Sequence, residues 1–418
     1  MNQSLARERS YGVSAMNGLD PEKYVRRDGD GYLYVVDHHV YLDEDVYKAE
    51  LDHVFKQQWV YLGMEQEVAR PGTFKTTYLA DVGVVLVRDE DGKLHVYENV
   101  CLHRGAKLVR KRCGAATSFN CIYHSWSYDL KGALLAVPMP AGFRDTFRKE
   151  DYRLSELPRV ETYAGMVFAS YRADIEPLVE YLGEFTKYLD EILEGGNVEF
   201  IGYQRYHVSA NWKLFVENTV DGYHPGLLHT PIMRDRGGYL YKPGQGHNYK
   251  FRNGHGLLQW PVTAVPKEDW DPEFDLPITY CVSRKDGWDY VSNIFPNVMV
   301  LYIEDIITIR QLIPRGVNEV DVITYNFGRP GESEEVRRHR AWAVSSQFGV
   351  AGVASLDDKL AMEAVQAGAT ARYSDTVLMR GKLSDSVGDV TSEISLRGFY
   401  EKWVDCFAGP EAQTRGKA

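Results

Sequence analysis

Two short segments of this chain each offer a cysteine and a histidine: Cys101-Leu102-His103 and Cys121-Ile122-Tyr123-His124, with seventeen residues between His103 and Cys121. No other feature constrains the fold as much, because four donors on two loops must converge on one point if they are to bind a metal. Two thiolates and two imidazoles suit a [2Fe-2S] centre of the Rieske type, with two Cys on one iron and two His on the other. That ligation raises the reduction potential above that of an all-cysteine cluster. A structural zinc site accepts the same donors. Zinc fingers, however, pair Cys with Cys and His with His along the chain, whereas each loop here offers one of each. The pattern therefore points to electron delivery.

Helical spacing of Tyr47, Leu51, Val54 and Phe55 behind an Asp43 cap predicts a helix over residues 43–59. From Trp59 to about Tyr171 the pattern changes to short alternating or β-branched runs, TFKTTYL, VGVVLVRD, KLHVYENV and GMVFAS, with turns at Glu90-Asp91-Gly92 and Leu130-Lys131-Gly132. The Cys/His loops thus belong to a small all-β domain. Beyond it the spacing predicts a helix over 177–193, a strand ending near Ser209 and a helix from about Asn211. Strands follow over 289–313 and 320–327, then helices over 333–347, 354–367 and 391–407. Strands mixed with helices but without βα alternation predict an α+β second domain on an antiparallel sheet. The expected boundaries are 1–58 for an N-terminal segment and helix joined to the second domain, 59–172 for the all-β domain and 173–418 for the second domain. The stretch from about Met233 to Gly256 lacks periodicity and reads as a loop long enough to cover a pocket.

Residues 211–230 read NWKLFVENTVDGYHPGLLHT. His224 and His229 are five apart, so a helix that loosens at Pro225-Gly226 would aim both imidazoles inward. Two His and one carboxylate on one face of an iron leave open positions for O2 and substrate. Alone, the pair reads equally as helix-end histidines held by hydrogen bonds. The Cys/His loops favour the metal, because an electron-transfer centre needs an acceptor. The third ligand is expected from SLDDKLAMEAVQAG, which carries Asp357, Asp358 and Glu363. All three fall on a predicted helix; Asp357 reads equally as a helix N-cap, and that reading leaves Asp358 as the one projecting inward.

Over nearly its whole length the chain resembles the large (α) subunit of Rieske non-haem iron aromatic-ring-hydroxylating oxygenases. The likeness rests on CLHRGAKL with CIYHSWSYDLKG, on NWKLFVENTVDGYHPGLLHT and on SLDDKLAMEAVQAG. It implies Cys101, His103, Cys121 and His124 as ligands of the Rieske cluster, and His224, His229 and Asp358 as ligands of a mononuclear Fe(II). It also implies that Asp221 hydrogen-bonds His224 and the cluster ligand His124 of a neighbouring subunit, and that Asn218 lies close to the iron. The implied fold is α+β, a small all-β Rieske domain plus a catalytic domain with an antiparallel helix-grip sheet. The implied assembly is a head-to-tail homotrimer, with or without small β subunits. The implied activity is that of a terminal oxygenase placing one or two hydroxyls on an aromatic ring with O2. A Rieske-type oxidative demethylase is the related alternative, and a non-enzymatic Rieske electron carrier is the alternative from another class.

Within that family, YHPGLLHT, TIRQLIP and SLRGFYEKW resemble oxygenases of aromatic carboxylates such as salicylate or terephthalate. The last two segments carry Arg310 and Arg397. An Arg facing an apolar pocket binds a carboxylate through a bidentate fork. Arg397 has Glu393 and Glu401 one helical turn to either side, which reads equally as surface ion pairing. Arg310 stands in the apolar run IITIRQLI.

A formal charge of −11 argues against a general nucleic-acid binder. No apolar run approaches the ~20 residues that span a bilayer. The segment MNQSLARERSYGVSAMNG lacks the apolar core of a secretion signal, so a cytoplasmic location is expected. Five Cys make no disulfide framework, and Cys113, Cys281 and Cys406 read as reduced thiols. No GxGxxG fingerprint follows a strand, so electrons are expected from a separate ferredoxin or flavin reductase. The run Arg104, Lys107, Arg110, Lys111 and Arg112 reads either as a solvated loop or as the docking face for that partner.

Overall fold

A computed structural model describes residues 20–27, 29, 31–229, 244–262, 265–266, 280–283, 287–371, 375–378, 380–382 and 384–408. These fall into two compact units, one of Phe55–Leu178 and one of the residues up to Val54 with those from Val179 onward.

The first unit is all β. Strands β1 (Val60–Met64), β2 (Thr73–Leu79), β3 (Val82–Arg88), β4 (Leu94–Glu98) and β5 (Cys113–Ala115) are followed by the short β6 (Phe119–Asn120), β7 (Ser127–Tyr128) and β8 (Leu134–Ala136). It ends on β9 (Arg159–Tyr163) and β10 (Met166–Ser170). They make a four-stranded sheet in the order β4-β3-β2-β5 and two three-stranded sheets, β8-β7-β6 and β9-β10-β1. Both predicted glycine turns form. Gly92 and Gly132 have φ of 83° and 88°, and each N–H donates three residues back, to Asp89 and Asp129. In each turn an Asp side chain also accepts backbone N–H groups beyond the glycine, Lys93 for Asp89 and Ala133 for Asp129.

The second unit begins with α1 (Glu44–Glu50), capped by Asp43 as the sequence predicts and continued through a π turn over Leu51–Phe55. The predicted 177–193 helix is interrupted: Leu178–Leu182 and α2 (Thr186–Leu193) flank a 3-10 turn at Gly183–Phe185. One antiparallel eight-stranded sheet dominates. It comprises β11 (Glu199–Val208), β12 (His247–Lys250), β13 (Gly256–Pro261), β14 (Trp288–Ile294), β15 (Val298–Ile303), β16 (Ile306–Gly316), β17 (Glu319–Gly328) and β18 (Val387–Asp389), in the order β11-β17-β16-β15-β14-β13-β12-β18. The sequence reads 289–313 as one strand region, and tight turns divide it into three strands. Helices α3 (Trp212–Thr219), α4 (Pro225–Leu228), α5 (Glu334–Phe348), α6 (Val353–Gly368) and α7 (Ile394–Phe407) complete the unit. Of the long aperiodic stretch, 233–243 lies outside the described residues, and His247–Lys250 is strand β12.

Beneath α3 sits an ion pair with no exposed surface. Glu50 accepts hydrogen bonds from Lys213 Nζ (2.7 Å) and from the indoles of Trp212 (2.8 Å) and Trp403 (2.7 Å). A buried charge is tolerated only when its bonding capacity is met, and here three elements are tied together by meeting it. Asn211 caps α3 by accepting from Lys213 N–H. The orientation of α3, which carries Asn218, is therefore fixed from below.

Candidate metal centres

The two Cys/His loops have the same backbone design. Cys101 N–H donates to Ala106 O and Cys121 N–H to Trp126 O, both at 2.8 Å; Gly105 N–H returns to Cys101 O at 2.9 Å and Ser125 N–H to Cys121 O at 3.0 Å. The residue four beyond each Cys is left-handed, Gly105 at φ 69° and Ser125 at φ 54°. Glycine tolerates that conformation freely, whereas serine accepts strain of the kind that concentrates at functional sites. Both thiols are buried in a core that includes Phe119, Trp126 and Leu130. The imidazoles of His103 and His124 have ring centroids 4.5 Å apart, and the His103 ring stacks on Trp126 at 4.8 Å. Nδ1 of each histidine is buried and has no hydrogen-bond partner. Burial pushes the Cys101 thiol up from its ordinary value, so a thiolate there calls for a compensating positive charge. Two buried thiols and two orphaned ring nitrogens are a donor set that fits a [2Fe-2S] cluster.

In the second unit α3 ends at Thr219, well before His224. The break thus lies earlier than the predicted loosening at Pro225-Gly226; Pro225 instead opens α4, at the position where its missing N–H costs nothing. His224 and His229 flank this single turn, and α6 brings Asp358 between them. His224 Nε2 lies 3.4 Å and His229 Nε2 3.2 Å from Asp358 Oδ1. The three donors lie within 4.8 Å of one another. Asn218 Nδ2 donates to the same Asp358 oxygen at 3.1 Å, and Asp221 Oδ2 lies 3.3 Å from His224 Nδ1. Burial alone would lower the His224 imidazole, but the Asp221 and Asp358 carboxylates outweigh it and hold it up at about 9. Burial alone would likewise raise Asp358, and the two imidazoles instead hold it well below the usual carboxylate range. Such a cluster stores positive charge beside a carboxylate, which is the electrostatic condition a divalent cation satisfies once the imidazoles are neutral.

Asp357 corrects a sequence expectation. The cap of α6 is Gly352, and the helix begins at Val353, so Asp357 is not an N-cap. Its Oδ2 instead lies 3.3 Å from His229 Nδ1. The adjacent Asp-Asp pair and a helix over 354–367 were visible in the sequence; what was not visible is that the fold brings His229 beside Asp357.

A largely apolar cavity adjoins the triad, lined by Leu258, Trp260, Val291, Leu301 and Ile303 from the sheet and by Phe348 and Ala354 from α5 and α6. Beside the triad its polar lining is Asn218, Thr219, Asp221, Arg310 and Gln347. Arg310, on β16, is 3 % exposed; its Nε and Nη2 have no hydrogen-bond partner, and its guanidinium carbon lies 5.8 Å from the Phe215 ring centroid and 5.1 Å from that of Phe348. Arg397 is placed differently. It is buried in α7 and donates to the carbonyls of Gly31 (3.3 Å), Tyr32 (2.6 Å) and Leu378 (3.0 Å). It does not line the cavity among the described residues. Its helix neighbours also have other partners: Glu401 bonds Lys250 Nζ, and Glu393 accepts from Arg380 N–H. Arg104, Lys107, Arg110, Lys111 and Arg112 are all exposed. Cys113 and Cys406 are not in disulfides, and the Cys281 side chain lies outside the described residues.

A thiol–imidazole site on paired loops and a two-histidine, one-carboxylate site beside an apolar cavity define a class, that of non-haem iron oxidoreductases fed by an iron–sulfur centre. Residues 58–162 match the Rieske [2Fe-2S] domain family, and residues 196–409 match the ring hydroxylating alpha subunit (catalytic domain) family. The chain is 32% identical over 390 residues to the large oxygenase component of salicylate 5-hydroxylase from Ralstonia sp, covering 87% of this chain and 92% of that protein. It is 32% identical over 394 residues to the anthranilate 1,2-dioxygenase large subunit of Burkholderia cepacia, covering 87% and 91%. Among solved structures, naphthalene 1,2-dioxygenase with indole bound in the active site superposes with a TM-score of 0.78 at 25% identity, covering 89% of this chain and 92% of that one. The chain belongs to the Rieske ring-hydroxylating oxygenases, as an alpha subunit. Its cofactors are accordingly a Rieske [2Fe-2S] cluster and a mononuclear iron. Among the described residues no helix is long and apolar enough to cross a membrane.

Proposed function

We propose that this subunit hydroxylates an aromatic carboxylic acid with O2, using electrons from a separate ferredoxin or flavin reductase. Cys101, His103, Cys121 and His124 would hold the cluster, and His224, His229 and Asp358 the iron. When bound, these groups supply the redox chemistry that activates O2. The chain's own residues orient the participants. Asp221 and Asp357 each hold the Nδ1 side of one histidine, which leaves Nε2 free as a donor. Asn218 holds Asp358, and the apolar wall excludes water and packs the ring. In a head-to-tail trimer, the same Asp221 carboxylate would reach His124 of a neighbouring subunit. The exposed basic run beside the first cluster loop would face an acidic electron donor.

The observation that carries the substrate class is Arg310. A guanidinium so deeply buried, with Nε and Nη2 unpaired and the rings of Phe215 and Phe348 beside it, makes no ion pair among the described residues. Burying an uncompensated charge is costly, and a ligand carboxylate would supply both the charge and the acceptors. The acids named for the two relatives, salicylate and anthranilate, are aromatic carboxylates.

Binding of aromatic acids to the metal-loaded protein, and of their amides or methyl esters, tests this reading in wild type and Arg310→Gln. The variant should lose about 1.5–3 kcal/mol for the acid, the range for a hydrogen bond to a charged group, and little for the neutral analogue. Equal losses for both would assign Arg310 to packing.

A further inference from the structure

The cavity contains a second polar group without a partner. Gln347, the penultimate residue of α5, lines it beside Phe348; the side chain is 4 % exposed, and its Oε1 has no hydrogen-bond partner. Its backbone is held in place by the turn into α6. A Cβ on Gly352 would stand 2.6 Å from the Gln347 carbonyl carbon, so only glycine allows this close approach. The backbone that carries the side chain is thus fixed, and a buried amide oxygen is left in need of a donor.

The unpaired Arg310 nitrogens and Gln347 Oε1 are not bonded to each other, and the two residues ask for different chemistry. A guanidinium only donates, so it matches a carboxylate; an amide oxygen accepts, so it matches a group that carries a hydrogen. A bare carboxylate on an otherwise hydrocarbon ring satisfies the first and leaves the second empty. We infer that Gln347 is a specificity-determining residue that accepts a hydrogen bond from a ring hydroxyl or amino group, and that the substrate is therefore a hydroxy- or amino-substituted aromatic acid. This rests on the assignment of the carboxylate to Arg310.

The test is equilibrium binding to the metal-loaded protein of benzoate, the three hydroxybenzoates and the three aminobenzoates, in wild type and in Gln347→Met, which keeps the volume and removes the amide. In wild type at least one substituted acid should bind about tenfold tighter than benzoate, the discrimination expected of one hydrogen bond in a water-poor site. Gln347→Met should erase that preference. A wild type with no preference for any substituted acid, or a preference that survives in Gln347→Met, overturns the inference. A wild type without the preference overturns the inference whatever the variant does, and Gln347→Leu takes the place of Gln347→Met if that variant does not fold. Hydroxybenzamide measured against benzamide separates the two assignments. Failure of Arg310 alone leaves the hydroxyl preference in this neutral pair intact, whereas failure of Gln347 removes it while Arg310→Gln still weakens the acids.

Discussion

The Asp357 carboxylate lies 3.3 Å from Nδ1 of His229, and the far side of that ring faces Asp358 at 3.2 Å. On the other histidine the arrangement repeats, with Asp221 at Nδ1 and Asp358 at Nε2. Each imidazole is thereby held between an outer carboxylate, which fixes the tautomer and ring angle, and the inner one that would share the metal in the proposed site. The two outer carboxylates come from opposite ends of the sequence segment order, one three residues before its histidine and one on α6. They are separable by mutation.

Asp357→Asn should weaken iron retention by about 10–100-fold, the usual effect of removing a carboxylate behind a ligating histidine. The visible spectrum of the [2Fe-2S] cluster should not change. Titration with a ferrous chelator, followed by iron analysis, measures this directly. Retention equal to wild type would mean that the Asp357 contact does not orient His229.

Asp221→Asn is expected to behave differently. The amide keeps the shape and still bonds to Tyr223 N–H, which the carboxylate accepts at 2.6 Å, so both metals should stay bound. Turnover should fall below detection, because in the proposed trimer this carboxylate joins two metal sites. Single-turnover oxidation of the reduced cluster in the presence of substrate and O2 is the readout. A wild-type rate there would remove Asp221 from the electron path.

Much of this was legible in the sequence because it is local. The Cys/His pairs, the Asp43 cap and the Gly92 and Gly132 turns each depend on a few neighbouring residues and stand where they were predicted. The misreadings share a different cause. The helix of Asp357 begins within one residue of its expected start, but the partner of Asp357 is His229, which only the tertiary fold brings near, so its role could not be told from the Asp-Asp pair alone. Arg397 has charged neighbours at helical spacing, yet its partners are carbonyls at Gly31, Tyr32 and Leu378, which only the tertiary fold brings near. Gln347 carried no sequence signal at all, since a glutamine near a helix end is ordinary until an apolar cavity closes around it.

Tyr128 offers a test of the cluster site that does not depend on turnover. Its hydroxyl lies 3.4 Å from Cys101 Sγ and accepts from Leu102 N–H at 3.2 Å. With that N–H occupying a lone pair, the hydroxyl proton is free to point at the sulfur. Hydrogen bonds to cluster sulfurs stabilise the more negative, reduced state and so raise the potential. Tyr128→Phe should therefore lower the midpoint potential, by an amount on the order of tens of millivolts, with cluster content unchanged. A redox titration followed by cluster absorbance measures it, and an unchanged potential would mean that the hydroxyl does not bond the thiolate.

Glu217 predicts how stability varies with pH. It is mostly buried in α3, where Oε1 accepts from Tyr41 OH at 2.7 Å and from Tyr400 OH. Burial pushes its carboxyl from 4.5 up to about 7, against the opposing pull of the two hydroxyls and of Lys213, and the Asp221 charge adds to the rise. Because the folded value is raised, the native state binds a proton that the unfolded chain releases between these two limits. Stability from this group is therefore complete below about pH 4.5 and is lost as pH climbs to about 7. Glu217→Gln keeps an acceptor oxygen for both tyrosines and is neutral at every pH, so its stability should lack this loss. The gap between variant and wild type should widen by about 1–3 kcal/mol across the window, read as apparent Tm for both proteins at matched ionic strength. Parallel curves from pH 5 to 8 would show that the Glu217 carboxyl titrates in the ordinary range, already charged in the native protein.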